Sequence, residues 1–127
     1  MAKKELTWNN MNEEEVKMLD LKAFLQYIPS RQRRTLTRGF TDAQKILLKN
    51  LETGKDNLKT HCRDMVILPK MIGKTFRVYT GRDFAPITIT LEMIGHYLGE
   101  FAHTRKSVSH SSAGVGATRS SKSTSAR

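Results

Sequence analysis

Met65-Val-Ile-Leu-Pro69, Thr75-Phe-Arg-Val-Tyr79 and Phe84-Ala-Pro-Ile-Thr-Ile-Thr90 follow one another with short polar breaks between them. The first is a continuous apolar run stopped by proline, the pattern of a buried strand. The second alternates, setting Phe76 and Val78 on one face. Thr80-Gly-Arg-Asp83 has turn composition, and beyond it Ala85, Ile87 and Ile89 share a face. Pro86 has no N–H to give a ladder, so the last strand belongs at an edge or a bulge. A sheet of three strands over 65–68, 75–79 and 84–90 is expected. Thr90 then caps a short helix over 91–97, with Gly99 as its stop.

Helical signals dominate the chain before this stretch. Asn12 is a good N-cap, and Glu13, Glu14 and Glu15 lie in the first turn, where negative charge is favourable. Val16, Leu19, Phe24 and Ile28 fall near helical spacing up to Pro29, with Asp20 able to cap a second short helix. One bent helix and two short ones are both compatible with this pattern. Ser30 is positioned to cap a helix over 31–38, with Gly39 as its C′ residue. Thr41 and Gln44 have capping-box spacing ahead of Ile46, Leu47, Leu48 and Leu51, and Gly54 ends that helix. A polar loop is expected from 55 to about 60. The fold class is therefore α+β: a small three-stranded sheet flanked by N-terminal helices and a short C-terminal helix, with an extended basic tail. Residues 1–10 read as an N-terminal extension, 11–101 as the α+β domain and 102–127 as a flexible basic C-terminal tail.

The chain has 127 residues, 22 Lys and Arg against 12 Asp and Glu, and a formal net charge of +10. That length suits one domain with appendages. No run approaches 18 apolar residues, and the start lacks the apolar core of a signal peptide, so neither a spanning nor a conventionally secreted protein is expected. Cys62 stands alone, which forbids an intrachain disulfide and fits a reducing interior. The excess charge calls for a polyanionic partner. Most of it lies in two places: Arg31, Arg33, Arg34 and Arg38 with no acid among them, and residues 101–127 with five bases and no acid. The middle of the chain is nearly neutral and folds without much self-repulsion.

The arginine run has a plain alternative, a solvated helix face. Four unpaired arginines argue instead for a facing anion. On a helix, Arg31, Arg34 and Arg38 share a side, and guanidinium forks bind phosphate oxygens bidentately. The tail, with eleven Ser or Thr among its last 27 residues, cannot bury enough surface to offset its ordering entropy. It is either an inert terminus or a segment that folds onto RNA. The glycines at 114 and 116 are not followed by the lysine that a P-loop requires.

His61, Cys62, His96, His103 and His110 lack paired ligand spacing, so no metal site is expected. Nothing calls for a cofactor or a small-molecule substrate. His61 with Asp64, or His96 with Glu100, are the only pairs from which an acid–base enzyme could be imagined. Trp8 and Tyr79 have the chemistry to stack on bases, but lone aromatics usually cover core edges. Met65, Met71 and Met93 read as core filler.

At His61-Cys-Arg-Asp-Met-Val-Ile-Leu-Pro69 and Glu92-Met-Ile-Gly-His-Tyr-Leu-Gly-Glu-Phe101 the sequence resembles the universal small-subunit ribosomal protein family 19, in its archaeal and eukaryotic form. Ser30-Arg-Gln-Arg-Arg-Thr-Leu-Thr-Arg-Gly-Phe40 and Gly114-Val-Gly-Ala-Thr-Arg-Ser-Ser121 resemble it too, so the likeness runs from about Asn12 to Lys122. The short segment before Trp8 favours an archaeal source. The resemblance implies a cytoplasmic, non-enzymatic constituent of the small subunit that binds the 3′ domain of its rRNA in the head. It implies the small-subunit ribosomal protein of family 13 as a neighbour, and a tail directed toward the decoding site and A-site tRNA. By motif it assigns RNA binding to Arg31, Arg33, Arg34, Arg38, Arg63, Lys74, Arg77 and His96, and along the tail to Arg105, Lys106, His110 and Arg119. The chain departs from the family pattern at Lys70, Thr80, Ser111 and Ala113 and in its last residues. Two other readings remain: a DNA-binding regulator with a helix–turn–helix over 30–53, and an RNA-processing enzyme built on His61 or His96.

Overall fold

A computed structural model describes residues 4–109. Four helices come first: α1 (Glu13–Lys17), α2 (Leu21–Tyr27), α3 (Ser30–Thr37) and α4 (Asp42–Glu52). Three strands follow, β1 (Leu58–Thr60), β2 (Thr75–Tyr79) and β3 (Phe84–Thr88), with 3₁₀ turns at Pro69–Met71, Leu91–Met93 and Leu98–Phe101. The architecture is α+β, as the sequence pattern indicated.

The helix boundaries follow from their local chemistry. The Asn12 N–H donates to the Glu15 carboxylate, and Asp20 accepts from the Leu21 N–H, so the first apolar stretch divides into two short helices. Pro29 occupies the cap of α3, which makes Ser30 its first residue rather than its cap. The Thr41 N–H donates to Gln44 Oε1 while the Gln44 N–H donates to Thr41 Oγ1, closing the capping box of α4. Gly39 and Gly54 end α3 and α4 at φ of +95° and +81°, a region that residues with a Cβ rarely enter.

The sheet corrects the expected strand set. Its order is β1-β2-β3, with β1 parallel to β2 and β2 antiparallel to β3. The third strand is Leu58–Thr60, inside the segment expected to be a loop. Met65–Leu68 is buried along its whole length but joins no sheet. It bonds instead to the segment after β3: the Ile67 N–H donates to the His96 carbonyl, and the Leu98 N–H to the Met65 carbonyl, with one bridge at Val66 and Tyr97. That pairing also accounts for the missing helix over 91–97. Backbone groups of 95–99 are committed to 63–67, leaving only isolated 3₁₀ turns on either side. Pro86 lies in the edge strand β3, where its missing N–H costs no interior ladder bond.

One face of the sheet meets the core. Phe76 and Val78 of β2 and Ile87 of β3 pack with Phe24 of α2, Val16 of α1, the Met65–Leu68 run and Leu98. Trp8 covers this core at one side, its ring 5.7 Å from Phe24 and 6.0 Å from Tyr27. It is held there by a tight turn in which Trp8 and Met11 exchange backbone hydrogen bonds.

Asp56 ties β1 to β2. Its carboxylate accepts from the Thr75 N–H at 3.2 Å and the Asn57 N–H at 3.1 Å. These two bonds, with Lys74 nearby, hold its pKa below the ordinary carboxylate value of 3.8. A depressed carboxylate stabilises the fold above its unfolded pKa, and that contribution disappears as pH falls through the folded value. Asp56→Asn is therefore expected to lower the urea midpoint at pH 7 and to lose that difference as pH falls through the folded value, below the ordinary carboxylate pKa. An equal difference at pH 7 and below the folded value would mean that Asp56 contributes nothing through its charge.

Candidate nucleic-acid interface

Helix α3 carries the densest positive charge, and the structure divides its arginines by task. Leu36 faces the core, so Arg31, Arg34 and Arg38 fall together on the solvent flank, as helical spacing requires. Among the described residues the ion pairs are Glu13–Lys17, Glu52–Lys70 and Glu100–His96, and none involves an α3 arginine. Their three guanidinium groups present their donors to solvent. Arg33 points elsewhere: its Nε donates to the Leu25 carbonyl at 2.8 Å and its Nη2 to the Ile28 carbonyl at 3.1 Å. It closes the open end of α2, where carbonyls have no helical partners.

The other flank of α3 approaches the segment after β3. Thr35 Oγ1 lies 3.4 Å from the Tyr97 hydroxyl and also donates to the Arg31 carbonyl. Beside Tyr97, His96 Nδ1 lies 2.8 Å from Glu100 Oε2, and the His96 ring meets Phe101 edge-on at 5.8 Å. The His96 and Glu100 side chains are 52% and 44% exposed, so this pair is an open surface contact, not an enclosed acid–base site. His61 is exposed and makes no contact with Asp64 among the hydrogen bonds of the fold. Among the described residues no three His, Cys, Asp or Glu side chains gather where a metal ion would sit.

Arg63 has a structural task that its sequence position did not reveal. Its guanidinium donates to three carbonyls, each at 2.7 Å: Tyr79 at the end of β2, Gly99 in the last 3₁₀ turn, and Ala102 beyond it. Lys74 is half-buried beside Asp56, and Arg77 is exposed at the middle of β2. Arg105 and Lys106 are exposed in the segment leaving the domain. His110 and Arg119 lie outside the described residues.

Two residues that the sequence reading did not single out for nucleic acid lie on the outer sheet face. The sequence pattern marks Lys59 as loop and Phe84 only as the start of a strand. Both share the outer face with Arg77 and Tyr79, Lys59 and Arg77 exposed and the two rings half-buried. The alternation around Phe76 and Val78 would have located Tyr79 there, but Lys59 has no such signal.

The arrangement is a compact neutral body with free cations on one helix, one sheet face and the departing chain. Its sequence falls within known company. The family model for ribosomal protein S19 matches residues 34–110, a span that opens inside α3. The chain is 48% identical over 120 residues to small ribosomal subunit protein uS19 of Methanocella arvoryzae, covering 94% of this chain and 86% of that protein. It is 46% identical over 120 residues to the uS19 of Methanococcoides burtonii, covering 94% and 88%. With such likeness along nearly the whole chain, the protein belongs to the ribosomal protein S19 family.

Proposed function

We propose that the protein is a structural constituent of the small ribosomal subunit in the cytoplasm, holding the 3′ domain of the small-subunit rRNA in the head. A member of this family is a ribosomal component and not an enzyme. The observation that carries the proposal is the unpaired flank of Arg31, Arg34 and Arg38 on a chain with 48% identity to an archaeal small-subunit protein. The neutral core supplies a rigid shape, and shape is how folded RNA is chiefly recognised. The free cations displace condensed counterions and supply much of the affinity. Arg77, Lys74 and His96 extend the contact beyond α3, and the segment with Arg105 and Lys106 leads on along the RNA. In this reading the small-subunit ribosomal protein of family 13 is the neighbour, and the tail runs toward the decoding site and A-site tRNA.

Sedimentation of a native lysate through a magnesium-containing sucrose gradient tests this. The protein is expected in stoichiometric amount in small-subunit and whole-ribosome fractions, and to stay there through a wash at about 0.5 M salt, where weak electrostatic contacts dissociate. Recovery at the top of the gradient, or with DNA, would defeat it and revive the helix–turn–helix reading. No helix among the described residues is long and apolar enough to cross a membrane.

A further inference from the structure

The outward positions of the sheet form successive rows across the strands. Thr75 pairs with Thr88, and their hydroxyls lie 3.3 Å apart. In the next row Lys59, Arg77 and Pro86 stand in register across β1, β2 and β3. Beyond it Tyr79 pairs with Phe84, and His61, just past β1, packs against both. The ring centroids are 4.5 Å apart for His61 and Tyr79, 5.2 Å for Tyr79 and Phe84, and 5.3 Å for His61 and Phe84. Lys59 Nζ sits 5.5 Å from the centroid of Phe84. Neither Tyr79 nor Phe84 packs against the core, whereas Tyr97 and Phe101 do.

Both are half-buried, covered by each other, by His61 and by Lys59 rather than by the core. The Tyr79 hydroxyl donates to the Gly81 carbonyl at 2.9 Å, so core packing does not explain their place on this face. Aromatic side chains kept half-buried on the outer strand face gain less hydrophobic stabilisation than they would in the core. No acid occupies an outward strand position; the charges there are Lys59 and Arg77. Pro86, opposite Arg77, is short and carries no polar head, so the cationic row stays open. We propose that this outer face is a base-stacking platform for unpaired RNA nucleotides, with rings of the aromatic row receiving a base and Lys59 and Arg77 holding the adjoining phosphates. The proposal rests on the rRNA-binding reading above and adds its mode of contact at the sheet. Adjacent rows are two residues apart, about 6.6 Å along a strand, within reach of one nucleotide's base and phosphate. A duplex keeps its base faces stacked inside, so the nucleotide taken must be bulged, looped or terminal.

The experiment measures binding of the full-length protein to a transcript of the small-subunit rRNA 3′ domain across a salt series. Phe84→Leu and His61→Ala are each expected to weaken binding by roughly 5- to 100-fold, the usual cost of losing one stacked base. Phe84→Leu should leave the slope of log K against log salt unchanged, while Arg77→Gln lowers that slope by about one. Phe84→Tyr, which keeps a ring, should bind like the parent. Among the described residues the His61 side chain makes no hydrogen bond, so His61→Ala remains informative should Phe84→Leu not fold. Ultraviolet irradiation of the complex should attach nucleotides to peptides containing His61, Tyr79 or Phe84. Folded His61→Ala and Phe84→Leu proteins that bind within about twofold of the parent would overturn the platform and leave the rRNA reading standing. Failure of the parent itself to bind the transcript would defeat both.

Discussion

Arg63→Ala is expected to lower stability by about 3–5 kcal/mol, a loss of roughly 15–30 °C in melting temperature for a domain of this size. The guanidinium donates to the carbonyls of Tyr79, Gly99 and Ala102, all at 2.7 Å and all partly buried. Charge-assisted bonds contribute more than neutral ones, and removing the donor leaves three acceptors without a partner. A lysine cannot span the three, because its ammonium is one compact donor at the end of a flexible stem. Arg63→Lys should recover less than half of the loss. The same clamp explains the residue at position 99. A Cβ there would come within 2.9 Å of both Arg63 Cβ and the Arg63 carbonyl oxygen, with backbone on one side. Thermal melts followed by circular dichroism decide the matter. An Arg63→Ala protein that melts within about 2 °C of the parent yet loses RNA affinity would return Arg63 to the role its motif implied.

Converting Arg31, Arg34 and Arg38 together to glutamine should weaken rRNA binding on the order of 100-fold at about 0.15 M salt. Each lost phosphate contact removes roughly 0.7–0.9 from the slope of log K against log salt, so the slope should fall by about two to three. Stability should hold or rise slightly, since like charges three and four apart on a helix repel by a few tenths of a kcal/mol. Arg33→Gln behaves in the opposite way. It removes two hydrogen bonds at the end of α2 and should cost about 1–3 kcal/mol of stability with the salt slope intact. The contrast between adjacent arginines is the test. A triple variant with the parent's slope would show that this flank faces no phosphate.

Much of the fold was readable residue by residue. Asn12, Asp20, Thr41 with Gln44, Gly39 and Gly54 mark helix ends because their hydrogen bonds or backbone angles are settled within four residues. The alternation of Thr75–Tyr79 and of Phe84–Thr88 placed the hairpin, and Pro86 placed its edge. On the candidate interface, helical spacing put Arg31, Arg34 and Arg38 together, and composition marked the segment beyond Phe101 as cationic.

What escaped the sequence lies in partners far along the chain. Leu58–Thr60 is a strand because β2, eighteen positions later, offers it a parallel ladder, and three residues carry no periodicity to announce that. Met65–Leu68 is buried as its apolarity required, but its backbone goes to 95–99 and not to the sheet, a choice among equally apolar alternatives. Arg33 and Arg34 are indistinguishable as residue types; the end of α2 claims one and solvent keeps the other. Arg63 reaches carbonyls 16, 36 and 39 residues away, and His61, Tyr79 and Phe84 meet only when β1 is laid beside the hairpin. Short-range hydrogen bonding and side-chain period are written into neighbouring residues, so the N-terminal helices, the β2–β3 hairpin and the charged helix could be derived from them. The division of the arginines between fold and solvent, and the aromatic row, arise from packing between distant segments, whose relative free energies no local pattern encodes.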